Sequence, residues 1–325
     1  MEYSRLHHSV KEVRNIEIGP IVWQSEVVVL LFKGYKKFIM LGEPMNLTSW
    51  VVLIGGRLTG KKIYFWTHGW YGRETWWKSI VKKLYFGMAN GTMLYGNYAR
   101  ELMIKEGLNP QKLTTIHNSL MYDKQLPIRK RLCPSPLYRK HFNNKMPTVV
   151  FIGRLTPVKK LDLLLKAQKV NMEQGMKFNV AFIGEGEEYE KLSSLANKMN
   201  LNQYVWFYGA CYKEEELSQI LYDADLCVAP GNIGLTAMHA MVYGCPCISH
   251  NDFKWQMPEF EAIKPGITGD FFERDNVESL SDCIYRWFEM HKNDREQVRH
   301  ACYKEIDEEW NPHKQLDIIK KAIGE

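Results

Sequence analysis

The sequence lacks an apolar run long enough to cross a lipid bilayer. Its longest apolar runs, such as the one within residues 26–32, fall far below the ~20 residues that a spanning helix needs. The polar, charged residues after Met1 do not predict a signal peptide. Seven cysteines in 325 residues, an odd number, argue against a disulfide framework and indicate free thiols in a reducing compartment. We therefore expect a cytoplasmic protein.

Complete nucleotide-binding glycine motifs and metal motifs are also missing. Residues 55–62 nearly match the phosphate loop of nucleoside triphosphatases, but Lys62 stands where a magnesium-binding Ser or Thr is needed. Residues 184–186 lack the third glycine of the dinucleotide-binding motif. Cys245 and Cys247 have neither the spacing nor the companion ligands of a zinc knuckle. We therefore expect no metal and no cofactor.

The charge of the chain is mildly basic. A net charge of +6 and a pI near 8.8 fit phosphorylated substrates or an anionic membrane surface, and are weak for a dedicated nucleic-acid-binding protein. A hydrophobic content of 45% supports sizeable cores, and the length suffices for two domains.

One histidine in the first half follows a predicted strand at 63–66. His68 precedes Gly69, and a histidine at the carboxyl end of a parallel strand lies where α/β folds place ligands. His68 is therefore a candidate base or sugar ligand. The alternative is a surface or cleft-lining histidine without a chemical role.

Residues 75–86 predict an amphipathic helix that is rich in tryptophan and lysine. Its apolar residues are Trp76, Trp77, Ile80, Val81 and Leu84, and its cations are Lys78, Lys82 and Lys83. Such a helix can lie on an anionic membrane. The alternative is ordinary packing of the apolar side chains with a solvated lysine face.

The second half has a more regular pattern than the first. Residues 124–145 are basic and proline-bearing, so we predict a linker with a local helix and a domain boundary near residue 145. Strands and helices then alternate, which predicts a parallel sheet covered on both faces. The expected domains are 1–145 and 146–325, with the tail helix at 312–323 packing back on the first.

The stretch at 225–248 predicts a strand, a short loop, a helix, a turn and a second strand. The helix begins near Gly234, and a glycine loop at a helix start leaves backbone N–H groups unpartnered at the positive end of the dipole. We therefore predict that the amides of Ile233, Gly234, Leu235 and Thr236 hold a phosphate. An ordinary strand–helix turn is the alternative.

Several ordered motifs resemble the donor-binding domain of the family 4 glycosyltransferases. Val-Phe-Ile-Gly-Arg-Leu-Thr-Pro-Val-Lys-Lys-Leu-Asp-Leu-Leu-Leu at 150–165 is similar to the first donor-domain unit of that family, and Ala-Phe-Ile-Gly-Glu-Gly at 181–186 to the second. Ala-Asp-Leu-Cys-Val-Ala-Pro at 224–230 and Met-Pro-Glu-Phe-Glu-Ala-Ile at 257–263 are similar to later units. The resemblance covers roughly 147–275 and extends only loosely to the first half. It implies the α/β GT-B fold, in which two Rossmann-like parallel-sheet domains face a cleft.

The resemblance also implies roles for individual residues. After Gly153, Arg154 and Lys159 match the family's cation pair, which stabilises negative charge on the departing diphosphate. The amides of 233–236 match its second diphosphate contact, and His68 loosely matches a histidine near the donor sugar. Family members retain the anomeric configuration, often attributed to front-side attack in which the donor phosphate accepts the acceptor's proton. No protein nucleophile is then required.

The sequence departs from the family at two acidic positions. The family has a glutamate at each end of seven intervening residues, where this chain has Gly231 and His239. The first glutamate contacts the donor sugar and the second the ribose hydroxyls. A neutral His239 imidazole can still bond a hydroxyl, and Asn232 is the candidate for the sugar contact. The first half is also shorter than a usual acceptor domain, which indicates a shortened or pared-down acceptor side.

We therefore predict a retaining glycosyltransferase of surface polysaccharide biosynthesis. The expected donor is a UDP- or GDP-linked sugar, and the expected acceptor is a saccharide or a lipid-linked saccharide at the inner face of the cytoplasmic membrane. A peripheral membrane contact through 75–86 fits such an acceptor, and nucleic acid is not an expected partner. The alternatives are an inactive nucleotide-sugar-binding protein, a sugar-nucleotide epimerase and a basic nucleic-acid-binding protein.

Overall fold

The computed structural model describes residues 10–325, so the segment after Met1 on which the signal-peptide expectation rests lies outside the described residues. The chain divides into two compact units. The first comprises Met1–Ile116 with Ile318–Glu325, and the second comprises His117–Asp317. Within the described range, no helix combines the length and the apolar character needed to span a membrane.

The first unit is built on a parallel sheet. Its elements are β1 (Ile16–Ile18), β2 (Ile21–Trp23), α1 (Ser25–Val29), β3 (Lys37–Leu41), α2 (Leu47–Leu58), β4 (Lys62–Thr67), α3 (Trp76–Met88), β5 (Gly91–Leu94), α4 (Asn97–Lys105) and β6 (Leu113–Thr115). Strands β3, β4, β5 and β6 pair in that order, all parallel, whereas β1 and β2 form a small antiparallel pair. Helices connect the parallel strands, as parallel pairing requires.

Local sequence explains where these elements begin. The side chain of Asn46 accepts a hydrogen bond from the Thr48 N–H and caps α2. Residues 27–32, part of the apolar run noted in the sequence, are helical, because α1 continues into a 3₁₀ turn at Leu30–Phe32. The last residues of the chain also add to this unit. Three isoleucines of the tail pack against buried residues of the sheet, namely Ile318, Ile319 and Ile323 against Tyr64, Met93 and Ile116.

The second unit contains a larger parallel sheet. Its elements are α5 (Tyr122–Arg129), α6 (Leu137–Phe142), β7 (Thr148–Ile152), α7 (Leu161–Glu173), β8 (Asn179–Ile183), α8 (Tyr189–Lys198), β9 (Val205–Gly209), α9 (Glu214–Asp223), β10 (Leu226–Ala229), α10 (Thr236–Val242), β11 (Cys247–His250), β12 (Gly269–Phe272), α11 (Val277–Met290) and α12 (Arg295–Glu309). The last helix is α13 (Pro312–Ile323). The sheet has the order β12-β11-β10-β7-β8-β9, and every neighbouring pair is parallel.

The strand order of the second unit creates a crevice at one place. Strand β7 comes first in the chain, β8 and β9 are added on one side of it, and β10, β11 and β12 are added on the other. The connections from neighbouring strands β7 and β10 therefore leave in opposite directions. In open α/β sheets, ligands bind at the carboxyl ends of the strands that flank such a switch point.

The segment predicted as a linker is largely helical and packs on the second unit. Gln125 of α5 donates a hydrogen bond to Glu214, and the buried Tyr138 of α6 donates to the carbonyl of Ile220. These hydrogen bonds join residues that are far apart in the sequence. The pattern of apolar residues within 124–145 therefore could not predict them. The division between the units therefore falls after Ile116, and residue 145 lies within the second unit.

Candidate functional site

The candidate site lies where β7 and β10 end. The hydroxyl of Thr236, the first residue of α10, donates a hydrogen bond of 2.9 Å to the carbonyl of Ile152 at the end of β7. Gly153 follows directly, with a φ of 140° that favours glycine. The tertiary fold thus brings the Gly153–Arg154 segment beside the loop that precedes α10. Both segments were predicted from separate motifs.

Lys159 ties the loop after β7 to the loop after β10. Its ammonium group donates hydrogen bonds to both the backbone oxygen and the side-chain oxygen of Asn232, at 2.8 and 2.7 Å. The backbones also meet, since the N–H of Gly231 donates to the carbonyl of Lys159 at 3.0 Å. A charged lysine held by two oxygens at a switch point is a fixed cation at the edge of the crevice.

The charge of Lys159 depends on three influences. Burial lowers the pKa of its ammonium group, the carboxyl group of Glu259 acts in the opposite direction, and the positive charge of Arg154 lowers the pKa further. Arg154 is exposed at the end of β7. The two cations predicted as a pair therefore follow the same strand and lie within electrostatic range of each other.

Gly231, which the sequence predicts to stand at the first acidic position of the family, has surroundings that leave no room for a side chain. A Cβ atom at this position would lie 2.0 Å from the carbonyl oxygen of Val158 and 2.8 Å from the Cα of Lys159. Both are backbone atoms that cannot rotate away. The close backbone packing between the two loops is therefore incompatible with a carboxylate at this position.

Of the four backbone amides predicted to hold a phosphate, at 233–236, one already has a hydrogen-bond acceptor within the protein. The N–H of Ile233 donates to the side-chain oxygen of Gln256 at 3.0 Å, so it is satisfied within the protein. Gly234 adopts a φ of 53° and turns the chain into α10. Among the described residues, the N–H groups of Gly234 and Leu235 have no hydrogen-bond acceptor. The amides open to a ligand are thus fewer than the sequence predicts.

Two buried side chains near this loop escaped the sequence analysis. Gln256 also donates to Ser249 and to the carbonyl of His250, which fastens the loop after β10 to β11. Glu259 is only 2% exposed, and one of its carboxylate oxygens accepts a hydrogen bond from Asn118 at 2.8 Å. Its other oxygen has no partner among residues 10–325. The motif at 257–263 contains Glu259 and could have identified it as a candidate. No pattern in the neighbouring sequence indicates a role for Gln256.

His239 lies on α10, one turn into the helix. Burial lowers the pKa of its imidazole, and the nearby Glu214 opposes that shift. The same carboxylate accepts hydrogen bonds from Tyr243 and Gln125, at 2.6 and 2.8 Å. The Nδ1 atom of His239 is buried and has no partner in the described part of the chain. A neutral imidazole with an open nitrogen can bond a hydroxyl group, as predicted.

His68 belongs to the first unit, whereas the other candidate residues belong to the second. It is half-buried and follows β4 in a turn built by Thr67, whose hydroxyl accepts the Gly69 N–H and donates to the carbonyl of Gly42. Its ring lies 4.7 Å from the ring of Tyr95, centroid to centroid. The role predicted for His68 stays a prediction.

Several known proteins are similar in sequence to part of this chain. A protein of the cps region of Klebsiella pneumoniae, described as uncharacterized, is 26% identical over 208 residues, which cover 61% of this chain and 53% of the relative. A poly(ribitol-phosphate) alpha-N-acetylglucosaminyltransferase of Staphylococcus aureus is 27% identical over 150 residues, covering 45% of this chain and 29% of the relative. The chain thus spans about half the length of these relatives, or less.

Solved structures share the fold over most of the chain. The apo lipopolysaccharide outer core galactosyltransferase WaaB superposes with a TM-score of 0.71 at 15% identity, covering 92% of this chain and 78% of WaaB. Anabaena HepE in complex with UDP superposes with a TM-score of 0.72 at 14% identity, covering 92% of this chain and 81% of HepE. These similarities confirm the predicted α/β fold of the GT-B class. The family of glycosyl transferases group 1 matches residues 138–305, more than half of the sequence, and the chain belongs to that family.

Proposed function

We propose that this protein transfers a sugar from a nucleotide-sugar donor to a saccharide or a lipid-linked saccharide, with retention, in the biosynthesis of a surface polysaccharide. The second unit binds the donor and the first unit binds the acceptor. The acceptor is held at the inner face of the cytoplasmic membrane, which the first unit contacts through residues 75–86. Membership of the glycosyl transferases group 1 supports the reaction class.

A UDP-linked donor has the strongest support. HepE, whose fold this chain shares, has been solved in complex with UDP and with UDP-glucose. The structures that resemble this chain also include a complex of TarM with UDP. The protein of the Klebsiella cps region and WaaB support a role in surface polysaccharides.

The position of Lys159 is the observation that carries the proposal. Its ammonium group is fixed at the sheet's switch point by Asn232, and Arg154 lies close enough to repel it. The carboxyl group of Glu259 offsets part of the repulsion between these two cations, and the single carboxylate leaves the pair with a net positive charge that attracts an anion. As a nucleotide sugar reacts, negative charge develops on its diphosphate, and prearranged cations stabilise that charge in the transition state.

The proposal is tested first by binding and then by turnover. A thermal-shift screen of UDP, GDP, ADP and their sugars identifies the base, and we expect the melting temperature to rise with UDP and a UDP-sugar. Release of UDP is then measured with saccharide and lipid-linked acceptors, and the anomeric configuration of the product is read by NMR. Stabilisation by none of these nucleotides would overturn the proposal.

Replacing His239 with alanine should weaken UDP binding about 5- to 10-fold, because one hydrogen bond to the ribose is lost. The dissociation constant is measured by calorimetry, and turnover at saturating donor should change less than the affinity. His300→Ala, which removes an exposed histidine from α12, serves as the matched control. An unchanged dissociation constant in His239→Ala would identify His239 as a packing residue.

Replacing Glu259 with glutamine should shift the alkaline limb of the pH–rate profile to lower pH. Glu259 raises the pKa of Lys159, so removal of its charge makes Lys159 lose its proton at a lower pH. Turnover near neutral pH should change little, because glutamine keeps the size of the side chain. Glu308→Gln, an exposed change on α12, should leave the profile unmoved. The same profile in Glu259→Gln and wild type would exclude an action of Glu259 on Lys159.

The crowding around Gly231 favours one alternative function, that of a nucleotide-sugar-binding protein without transferase activity. The family's first acidic residue contacts the donor sugar, and this chain has no space for it. Such a protein would bind UDP in calorimetry and yet release none from any donor–acceptor pair. Sustained UDP release that depends on an acceptor excludes it.

A further inference from the structure

Helices α2 and α3 of the first unit carry many apolar side chains that are exposed to solvent. Leu58 is 83% exposed and Trp76 is 77% exposed. The exposed apolar residues are Leu47, Val51, Ile54 and Leu58 on α2, and Trp76, Trp77, Ile80, Val81 and Leu84 on α3. Their spacings of three, four and one are those of a single face on each helix. We call these nine residues the α2–α3 face.

The two helices lie side by side, so that their outer sides form one surface. Tyr85 of α3 donates a hydrogen bond to Ser49 of α2 at 2.6 Å, and its ring lies 4.8 Å from that of Trp50. At the carboxyl ends, the guanidinium of Arg57 donates to the carbonyl of Met88. The core is filled by other residues of these helices, such as Val52, Leu53, Tyr85 and Phe86. Within residues 10–325, the five α3 residues of the face therefore stay outside the core, contrary to the ordinary packing considered as the alternative for them.

The charged residues of helices α2 and α3 have one sign. Neither α2 nor α3 contains an Asp or a Glu, whereas Lys78 and Lys83 are exposed on α3. Lys78 also lies over the ring of Trp77, 5.4 Å from its centroid. The whole first unit has 18 Lys and Arg against nine Glu and no Asp, a net charge of +9, whereas the second has 25 against 28. The complementary surface is therefore anionic.

A pocket opens at the amino-terminal end of the face. Its volume is about 660 Å³, and its lining includes Pro44, Met45, Trp77 and Val81. The charged residues of the same lining are three cations and two carboxylates, namely Arg73, Lys78 and Lys82 with Glu43 and Glu74, so the lining keeps a positive balance. An apolar pocket with cations fits part of a lipid chain whose phosphate stays near the surface.

We propose that the α2–α3 face docks on an anionic lipid bilayer. The indole rings of Trp76 and Trp77 enter the headgroup region, the aliphatic side chains meet the acyl boundary, and Lys78 and Lys83 meet lipid phosphates. A second copy of this chain is a poorer partner, since a self-complementary contact would bring two surfaces of the same charge together. The inference deepens the membrane contact proposed above and rests on it, but it needs no assumption about the donor.

The test is co-sedimentation of the full chain with vesicles, without nucleotide. We expect binding to phosphatidylglycerol–phosphatidylcholine vesicles, much weaker binding to pure phosphatidylcholine, and loss of binding at high salt. The double variants Trp76→Ser/Ile80→Ser and Lys78→Glu/Lys83→Glu should each lower partitioning about tenfold or more. The controls lie on the second unit. Ile267→Ser/Met290→Ser changes two exposed apolar residues, Lys177→Glu/Lys198→Glu changes two exposed lysines, and both should bind like wild type.

Two results would overturn this inference. One is equal vesicle binding by the face variants and their controls. The other is a dimer in light scattering that Trp76→Ser/Ile80→Ser dissociates while vesicle binding stays unchanged, because the face would then be a dimer contact. A thermal shift with UDP in the same variants reports the donor site separately. If wild type, variants and controls all fail to bind vesicles and the UDP shift stays intact, membrane docking is rejected and the proposed donor site still stands.

Discussion

Replacing Lys159 with alanine lowers the rate of sugar transfer about 100-fold, which corresponds to ~2.7 kcal/mol of lost transition-state stabilisation. The reason is the position of its ammonium group. It is bonded to both oxygens of Asn232 and lies within electrostatic range of Arg154, so the positive charge is in place before the diphosphate develops its negative charge. The rate is measured as acceptor-dependent release of the nucleoside diphosphate. Arg154→Ala should lower it to a similar extent.

The neighbouring lysine supplies the matched control. Lys160 pairs with Asp275 and takes no part in the bonds to Asn232. Lys160→Ala removes the same charge one residue away, and its turnover should stay close to that of wild type. Thermal melting of each variant separates loss of catalysis from loss of folding. If Lys159→Ala and Arg154→Ala both turned over at the wild-type rate, the diphosphate site would not be here.

Introducing glutamate at Gly231 should destabilise the second unit by about 3 kcal/mol, rather than restore a family carboxylate. The new Cβ atom would lie 2.0 Å from the carbonyl oxygen of Val158, well inside van der Waals contact. Relief requires the backbone of the loop that carries Lys159 to move, so sugar transfer should fall together with stability. The expected fall in melting temperature is roughly 6–12 °C.

A glycine in open space isolates the steric effect. No heavy atom comes within 4 Å of a Cβ built on Gly34, so Gly34→Glu adds the same side chain without a clash. Its melting temperature should stay close to that of wild type. A Gly231→Glu protein that melts like wild type and transfers sugar faster would mean that the two loops separate readily and that the position is open to a carboxylate.

Patterns within short segments were enough for most of the secondary structure. The predicted tail helix at 312–323 is confirmed with those bounds, because it has a clear helical period of apolar residues. The residues at 124–145 were predicted less well. Tyr138 and Gln125 are held by α9, whose contribution no local pattern records.

The sequence likewise predicts some residues of the candidate site, whereas other contacts there appear only in the structure. The cations at 154 and 159 and the glycine loop before α10 follow from motifs read in sequence order. The partner of the Ile233 amide does not, because Gln256 reaches it across 23 residues of chain. The partly unsatisfied Glu259 likewise depends on Asn118, which lies 141 residues away.

The sequence by itself determined that the chain is an α/β protein with a glycine loop and two cations at strand ends, since strand and helix periods and motif spacing are local properties. Only the tertiary structure decided how those parts meet. It joined Lys159 to Asn232, closed the space at Gly231 and left the α2–α3 face exposed. The physical reason is that close backbone approach, hydrogen-bond partnership and burial depend on distances between residues that are remote in the chain.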